Sequence, residues 1–247
     1  MIRPKRPYEI FHELSRIEGR HMLEETWQDS SLWPREWIEF TPKTYPRMRH
    51  IPLPDQDLPC EASLLTALHD RRSIREPSPA PLLADQLAFL LRNSLGFRHA
   101  ESSQLNRRLY PSAGARFPLE CYLVVMRCSG IDPGLYHYEV HNHCLSELLV
   151  DALSPVVKSI YGQEWTAQAR VVLFLSAVMA RTTVKYGERG YRHALVEAGH
   201  VAQNLCLVGT ALGVPVTPVA GFADQRAHRL LDLGDVGEIV LYSAVLP

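Results

Sequence analysis

The chain has 247 residues, of which 46% are hydrophobic, and its 26 Lys and Arg against 27 Asp and Glu leave a formal net charge of -1. This composition is typical of one sizeable globular domain or two small ones. The balanced charge argues against a nucleic acid or an anionic membrane held by bulk electrostatics.

The five cysteines are scattered and form no CxxC pair, so neither a disulfide framework nor a cysteine-type zinc site is expected. The N-terminus has no apolar segment of the kind found in secretion signals. The longest apolar stretch, residues 171–180, is much shorter than the roughly 20 residues that a membrane-spanning helix needs. We therefore expect a cytoplasmic protein that works in a reducing compartment and has no membrane segment.

Residues 1–61 are rich in proline and charge, and residues 51–59 have the sequence of an extended linker. This stretch carries too little apolar surface for a core of its own, so we expect an arm that wraps the main domain, residues 62–247. Our hypothesis is that its tryptophans shape a groove for substrate or partner. A short helix is predicted in the arm around Phe11, Leu14 and Ile17. The tryptophans of the arm are Trp27, Trp33 and Trp37.

The main domain shows clearer periodicity. Leucines at helical spacing predict one helix over 64–70 and another over 83–91 that ends at Gly96. Because helices are interleaved with hairpins and show no βαβ rhythm, the class is α+β. The strands are predicted at 119–127, at 135–140 and 144–150 flanking a short turn, at 169–178, and at 238–246.

A long helix is predicted over 191–213, where apolar residues recur every three or four positions and Gly213 closes the run. His193, Glu197 and His200 share one face of it, at a spacing that metal ligands also use. The polar residues beside them are equally typical of an interface hydrogen-bond network. A second histidine group, around the hairpin turn, comprises His137, His141 and His143 with Cys144. We expect no metal at either place.

Two segments could bind an anion or a flat ligand. Arg71, Arg72, Ser73 and Arg75 offer planar donors suited to a phosphate, although the same run could be a solvated charged surface. Residues 111–115 are small, so that backbone amides there can approach a ligand closely, although they could equally form a plain surface turn.

Lys185 and Tyr186 lie between a predicted buried strand and the long helix. Side chains at such junctions are held rigidly by the scaffold. Partial burial and mutual contact can bring either group into the range needed for a general base. The alternative is an ordinary charged segment at the start of a helix.

Taken in order, these segments resemble the nitroreductase superfamily, and specifically the SagB-type dehydrogenases, which are FMN-dependent azoline oxidases of thiazole/oxazole peptide biosynthesis. The similarity covers roughly residues 60 to 247. Two features depart from the family pattern: Pro77 stands where an aromatic residue is usual, and the final YSAVLP lacks basic residues. The matching pieces are RRSIR (71–75), PLLADQLAFLL (81–91), RRLYPSAGARFPLECYLVV (107–125), GLYHYEVHNHCLSEL (134–148), KYGERGYRHALVEAGHVAQNLCLVGTALG (185–213) and PVAGF (218–222).

The resemblance implies an α+β nitroreductase-like fold, with a central, mostly antiparallel sheet flanked by helices. It also implies a homodimer that binds FMN at the subunit interface, and it makes the long helix the dimerisation helix. Arg71, Arg72 and Ser73 would face the FMN phosphate and ribityl chain, and Arg75 the pyrimidine edge. Further FMN contacts would come from Pro111, Ser112 and Gly114 of the other subunit and from Ala220 and Gly221.

The same resemblance implies that Lys185 and Tyr186 act as one catalytic unit. They would supply the base for oxidation of thiazoline or oxazoline rings on a peptide or carrier-bound intermediate, with dioxygen as electron acceptor. A cyclodehydratase or synthetase would be the partner. Two alternatives remain: an NAD(P)H-dependent FMN reductase of nitro compounds or quinones, and a non-catalytic scaffold subunit of a cyclodehydratase complex.

Overall fold

The computed structural model describes residues 4–16, 29–39, 41–60, 62–98, 107–234 and 237–247. The expectations for Ile17 and Trp27 lie outside these ranges. The helices are α1 Pro7–Leu14, α2 Arg35–Ile38, α3 Leu64–Asp70, α4 Ala84–Leu95, α5 Ser154–Tyr161, α6 Glu164–Ala167, α7 Ala180–Tyr186, α8 Arg189–Ala211 and α9 Asp224–Leu231. The strands are β1 His50–Pro52, β2 Leu82–Leu83, β3 Leu119–Val125, β4 Cys128–Ser129, β5 Gly134–Glu139, β6 Cys144–Val150, β7 Val171–Val178, β8 Thr217–Val219 and β9 Glu238–Leu246.

A seven-stranded sheet in the order β1-β6-β5-β3-β7-β9-β8 forms the centre of the molecule. Every neighbouring pair in it is antiparallel, and β2 and β4 form a separate parallel pair. β3 is buried along its whole length, because a central strand is covered on both faces. The predicted α+β class with a mostly antiparallel sheet is confirmed.

Alternate residues of the central strands enter two different cores, as the two-residue period of a strand requires. On β7, Leu173 and Leu175 join the core beneath α4 and α8. Val172 and Phe174 point the other way, into the core beneath α5 and α9. Helices therefore cover both faces of the sheet.

Helix α8 begins two residues earlier than predicted and runs across one of these faces. Ala194, Ala198 and Ala202 are buried along it, and such small side chains let the helix approach the sheet closely. Leu195, one of the apolar residues of the predicted repeat, is exposed, because each residue of a helix is rotated by about 100° from the one before it and the preceding Ala194 faces the core. Glu197 is also buried, although it is charged and stood outside the apolar pattern. No helix within the described ranges is both long and apolar enough to cross a membrane.

The segment before residue 62 is tied into the same sheet. Ile51 and Pro52, which were expected to begin an extended linker, belong to edge strand β1, and this strand pairs with β6. Lys43 donates hydrogen bonds of 2.6 Å to the Tyr122 hydroxyl and to Glu238 Oε2. These contacts bring the preceding residues, which include Trp33 and Trp37, close to the end of β7.

Candidate active site

Lys185 and Tyr186 lie at the C-terminal end of α7, the short helix that follows β7. Sequence reasoning did not predict this helix. The Lys185 side chain is almost fully buried, at 5% exposure. Its Nζ lies 3.0 Å from the ring centre of Trp33 and 5.0 Å from that of Trp37. The arm residues that were expected near the substrate therefore cover the lysine.

The two side chains of this pair ionise differently from free lysine and tyrosine. Burial, with a smaller contribution from the Arg116 guanidinium, lowers the pKa of Lys185 to about 8. Burial raises the pKa of Tyr186, and Arg116 opposes the effect. Near neutral pH the pair therefore combines an amine that loses its proton easily with a phenol that keeps its own.

Gly114 forms the floor beneath the pair. A Cβ atom at this position would lie 2.5 Å from the Tyr186 hydroxyl oxygen and 3.4 Å from Lys185 Nζ. The turn is strained, because Ala115 and Phe117 have positive φ angles of 54° and 44° as well as Gly114 at 59°. Strain of this kind clusters at functional sites, where the surrounding structure holds it in place.

Ser112 and Glu197 hold this turn from below. The Phe117 N–H donates to Ser112 Oγ at 2.9 Å, and the Ser112 hydroxyl donates to Glu197 Oε2 at 2.5 Å. Glu197 is 2% exposed, and burial raises its pKa to about 8. Pro111, which directly precedes Ser112, is exposed and lines a cavity of about 540 Å³.

Two buried arginines connect the turn to α7 and to the arm. Arg116 Nε donates to the Arg181 carbonyl at 2.5 Å, and Arg181 Nη1 donates to the Phe117 carbonyl at 3.3 Å. Arg181 also forms a 2.6 Å ion pair with Glu120, which in turn contacts His137 at 2.8 Å. Arg116 belongs to the matching piece 107–125. Nothing else in the sequence pattern indicates this network.

The histidine groups have other contacts. His193 packs edge-on against the Tyr186 ring at 4.8 Å, and His200 is exposed. In the hairpin, His143 Nδ1 lies 2.8 Å from the Tyr138 hydroxyl.

The second group of predicted residues surrounds the start of β8. Arg72, Ser73 and Arg75 are exposed, and within the described ranges none of the arginines at 71, 72 and 75 forms an ion pair with a carboxylate. The Thr217 hydroxyl donates to the Ile74 carbonyl at 2.5 Å, which fixes this segment beside β8. Ala220 and Gly221 follow that strand and are exposed.

The two groups of residues meet helix α8 at different positions. Ser112 contacts α8 at Glu197. The Arg71 guanidinium lies nearer to Cys206, farther along the same helix, where its charge opposes the rise in pKa that burial causes at the thiol. Cys206 is nine residues after Glu197, and at about 1.5 Å per residue this offset is about 14 Å along the helix. We call the Lys185 side the enclosed half-site and the Arg71 side the open half-site.

Comparison with known proteins agrees with this architecture. The Nitroreductase family matches residues 68–245. A nitroreductase-like protein of Methanocaldococcus jannaschii is 34% identical over 184 residues, which is 74% of this chain and 89% of that protein. The microcin B17-processing protein McbC of Escherichia coli is 26% identical, over 61% of each chain. The trifolitoxin-processing protein TfxB of Rhizobium leguminosarum bv. trifolii is 27% identical over 64% of this chain but only 45% of its own length.

Solved structures show the same fold. A nitroreductase-like protein of Anabaena variabilis has a TM-score of 0.64 at 26% identity, covering 74% of this chain and 37% of that one. A chain of the E. coli microcin synthetase McbBCD complex, with truncated pro-MccB17 bound, has a TM-score of 0.60 at 24% identity, covering 78% and 74%. A nitroreductase-like protein of Desulfovibrio desulfuricans in complex with FMN has a TM-score of 0.52 at 15% identity, covering 75% and 85%. With the family match extending over most of its length, this chain belongs to the nitroreductase family.

Proposed function

We propose that this protein is an FMN-dependent oxidoreductase that oxidises thiazoline or oxazoline rings to thiazoles or oxazoles on a peptide or carrier-bound intermediate, with dioxygen as electron acceptor. The observation that carries the proposal is the enclosed Lys185–Tyr186 pair, in which burial lowers the pKa of the lysine to about 8. Ring aromatisation requires a base at a carbon atom, and a neutral amine in a dry site can provide it. The names of the microcin- and trifolitoxin-processing relatives favour a natural-product substrate.

The open half-site fits the FMN phosphate. Arg71, Arg72 and Ser73 would hold the phosphate and ribityl chain, and Arg75 the pyrimidine edge. Exposed guanidiniums that have no carboxylate partner among the described residues are suited to a dianionic group. The exposed main chain at 220–221 leaves room for a flat ring close to the backbone.

The separation of the half-sites supports a homodimer. We infer that the enclosed half-site of one subunit, with its residues 111–114, completes the open half-site of its partner. An interface of this kind needs apolar surface on the elements that carry the half-sites, and both helices beside them expose large apolar side chains. The exposed apolar residues on α3 and α8 are Leu64, Leu65, Leu68, Leu195 and Val196.

When bound, FMN supplies a two-electron acceptor, so that the ring loses two electrons and two protons overall while dioxygen is reduced to hydrogen peroxide. Lys185 Nζ, in its neutral form, takes the proton from the ring carbon. Tyr186, whose raised pKa keeps it protonated, donates a hydrogen bond to the lysine or to the substrate. Trp33 covers the lysine and limits the access of water that would compete for the base.

The test compares Lys185→Ala and Tyr186→Phe with the wild-type protein on a synthetic thiazoline-containing peptide. We expect both variants to retain FMN, and Lys185→Ala to lose at least a hundredfold in azole formation, in keeping with the removal of a positioned base. Near-normal turnover by Lys185→Ala would contradict the proposal.

A nitro or quinone reductase is the second candidate, favoured by the nitroreductase-like relative in M. jannaschii. Steady-state oxidation of NADH or NADPH distinguishes the two functions, because azoline oxidation with dioxygen consumes neither. The solved microcin synthetase complex suggests a further component of the proposal: an association with a cyclodehydratase that forms the azoline rings, which co-purification of the two proteins would test.

A further inference from the structure

Trp33 lies directly over Lys185 in the enclosed half-site. It lies directly before Pro34 and helix α2 and packs edge-on against Trp37, with ring centres 6.5 Å apart. The chain that follows is fastened to the buried arginine network, since Arg116 donates to the Glu39 carbonyl at 3.4 Å and Arg181 to the Thr41 carbonyl at 3.2 Å. The same two arginines hold the Gly114 turn, so that the indole and the turn share one support.

The indole N–H of Trp33 is buried and has no hydrogen-bond partner among the described residues. Trp165 shows the ordinary arrangement, because its N–H donates to Gln163 Oε1 at 2.6 Å. A buried donor without an acceptor is unfavourable, and such a group at a functional site calls for an acceptor that another molecule supplies. The ring centre of Trp33 lies 3.0 Å from Lys185 Nζ, so this donor is next to the proposed base.

We propose that Trp33 contacts the substrate directly, that its N–H donates a hydrogen bond to the ring nitrogen or to the adjacent amide oxygen, and that its indole face packs against the heterocycle. This inference rests on the proposed function. An uncharged, flat ring flanked by amide groups offers the acceptor and the planar surface that an indole binds. Because Lys185 is only 5% exposed, the substrate reaches Nζ by shifting the indole away from the amine.

Two replacements at position 33 distinguish the contribution of the N–H hydrogen bond from the contribution of packing against the ring face. Benzothienylalanine keeps the size and shape of the indole but lacks the N–H, and Trp33→Phe removes the donor and part of the face. With the thiazoline peptide, we expect benzothienylalanine to raise KM about three- to tenfold, the value of one hydrogen bond, with kcat within twofold. Trp33→Phe should raise KM further. Trp165→Phe is the matched control and should leave KM unchanged.

Substrate binding also gives a signal that does not depend on turnover. The thiazole product, titrated into the wild-type protein, should change the tryptophan fluorescence, and Trp33→Phe should lose this change while Trp165→Phe keeps it. FMN content measured for each variant shows that the fold is intact. An unchanged KM in the benzothienylalanine variant, alongside normal wild-type turnover, would overturn the role of Trp33 alone. A wild-type protein that oxidises no azoline would instead overturn the proposed function, and this inference with it.

Discussion

The two half-sites along α8 differ in the burial of their charged side chains and in the partners of those side chains. In the enclosed half-site, Lys185, Arg116 and Glu197 are buried. Within one chain, a short hydrogen bond joins Glu197 to Ser112 of the strained turn, and another joins Arg116 to the Arg181 carbonyl. In the open half-site, Arg72 and Arg75 stand exposed and form no ion pair within the described ranges. Burial shifts the pKa of a base, whereas exposed guanidiniums remain available to an anion. We infer from this contrast that the enclosed half-site suits proton transfer and the open half-site suits an anionic ligand.

The largest expected effect is the recovery of activity when the two half-sites are disabled in different chains of one dimer. Lys185→Ala disables the enclosed half-site, and the double variant Arg71→Ala/Arg72→Ala disables the open one. We expect each homodimer to be inactive. A heterodimer, co-expressed with two tags and purified through both, should regain about half of the wild-type activity, because one of its two interfacial sites is then intact.

The outcome of that complementation decides where the site is assembled. If the half-sites of a single chain acted together, both chains of the heterodimer would be defective and no activity would return. Heterodimers that carry Lys185→Ala in both chains are the control for carry-over of wild-type protein.

A substitution at Gly114 should damage the enclosed half-site and leave the arginines of the open half-site unchanged. In Gly114→Ala the new methyl group would lie 2.5 Å from the Tyr186 hydroxyl oxygen, so that the tyrosine has to move. A displacement of about 1 Å at a reacting centre reduces turnover about a hundredfold, and we expect this loss in kcat, measured at saturating FMN.

Gly162→Ala is the matched control for Gly114→Ala. Gly162 has a similar φ of 67° but no atom within 4 Å of its would-be Cβ, so it shares the backbone strain of about 1 kcal/mol without the collision. Full activity in Gly114→Ala would show that the contact between the turn and Tyr186 has no part in the reaction.

Sequence reasoning reached the residues of the open half-site more directly than the surroundings of the enclosed one. The arginine run is contiguous, so its composition alone raised the hypothesis of an anion site, beside the alternative of a solvated charged surface. Lys185, Tyr186 and Gly114 were found through the resemblance and the small-residue turn, but their surroundings were not. Glu197 was seen only as one member of a helical polar face, because its burial depends on Ser112 from a distant segment. Arg181 and the contact of Trp33 with Lys185 have no periodic signal, since they depend on tertiary packing.

The raised pKa of Glu197 predicts a stability that depends on pH. Its carboxyl has a pKa of about 8 in the folded protein, against an ordinary value of 4.5. Between these values the folded state binds more protons than the unfolded state, so the free energy of unfolding falls as the pH rises. At 1.36 kcal/mol per pH unit, this amounts to about 2 to 3 kcal/mol between pH 6 and 8.

Urea denaturation of wild-type protein and Glu197→Gln at pH 6 and pH 8 measures this difference. The glutamine keeps an acceptor for Ser112 but cannot ionise, so its free energy of unfolding should change much less over this range. The lowered pKa of Lys185 acts mainly above pH 8, where it makes stability rise with pH, and so does not obscure the comparison. Parallel pH dependence in the two proteins would contradict a neutral, buried Glu197.

The smallest expected effect is the pH dependence of the reaction itself. Because Lys185 must be neutral to accept a proton and its pKa is about 8, only about a tenth of the sites are ready at pH 7. The rate constant kcat/KM for the thiazoline peptide should therefore rise about tenfold per pH unit below pH 8 and level off above it. An ordinary exposed lysine would continue the rise to beyond pH 10. FMN affinity, which depends on guanidiniums that stay charged throughout this range, should not follow the same curve, and a common profile for both measurements would erase the distinction between the two half-sites.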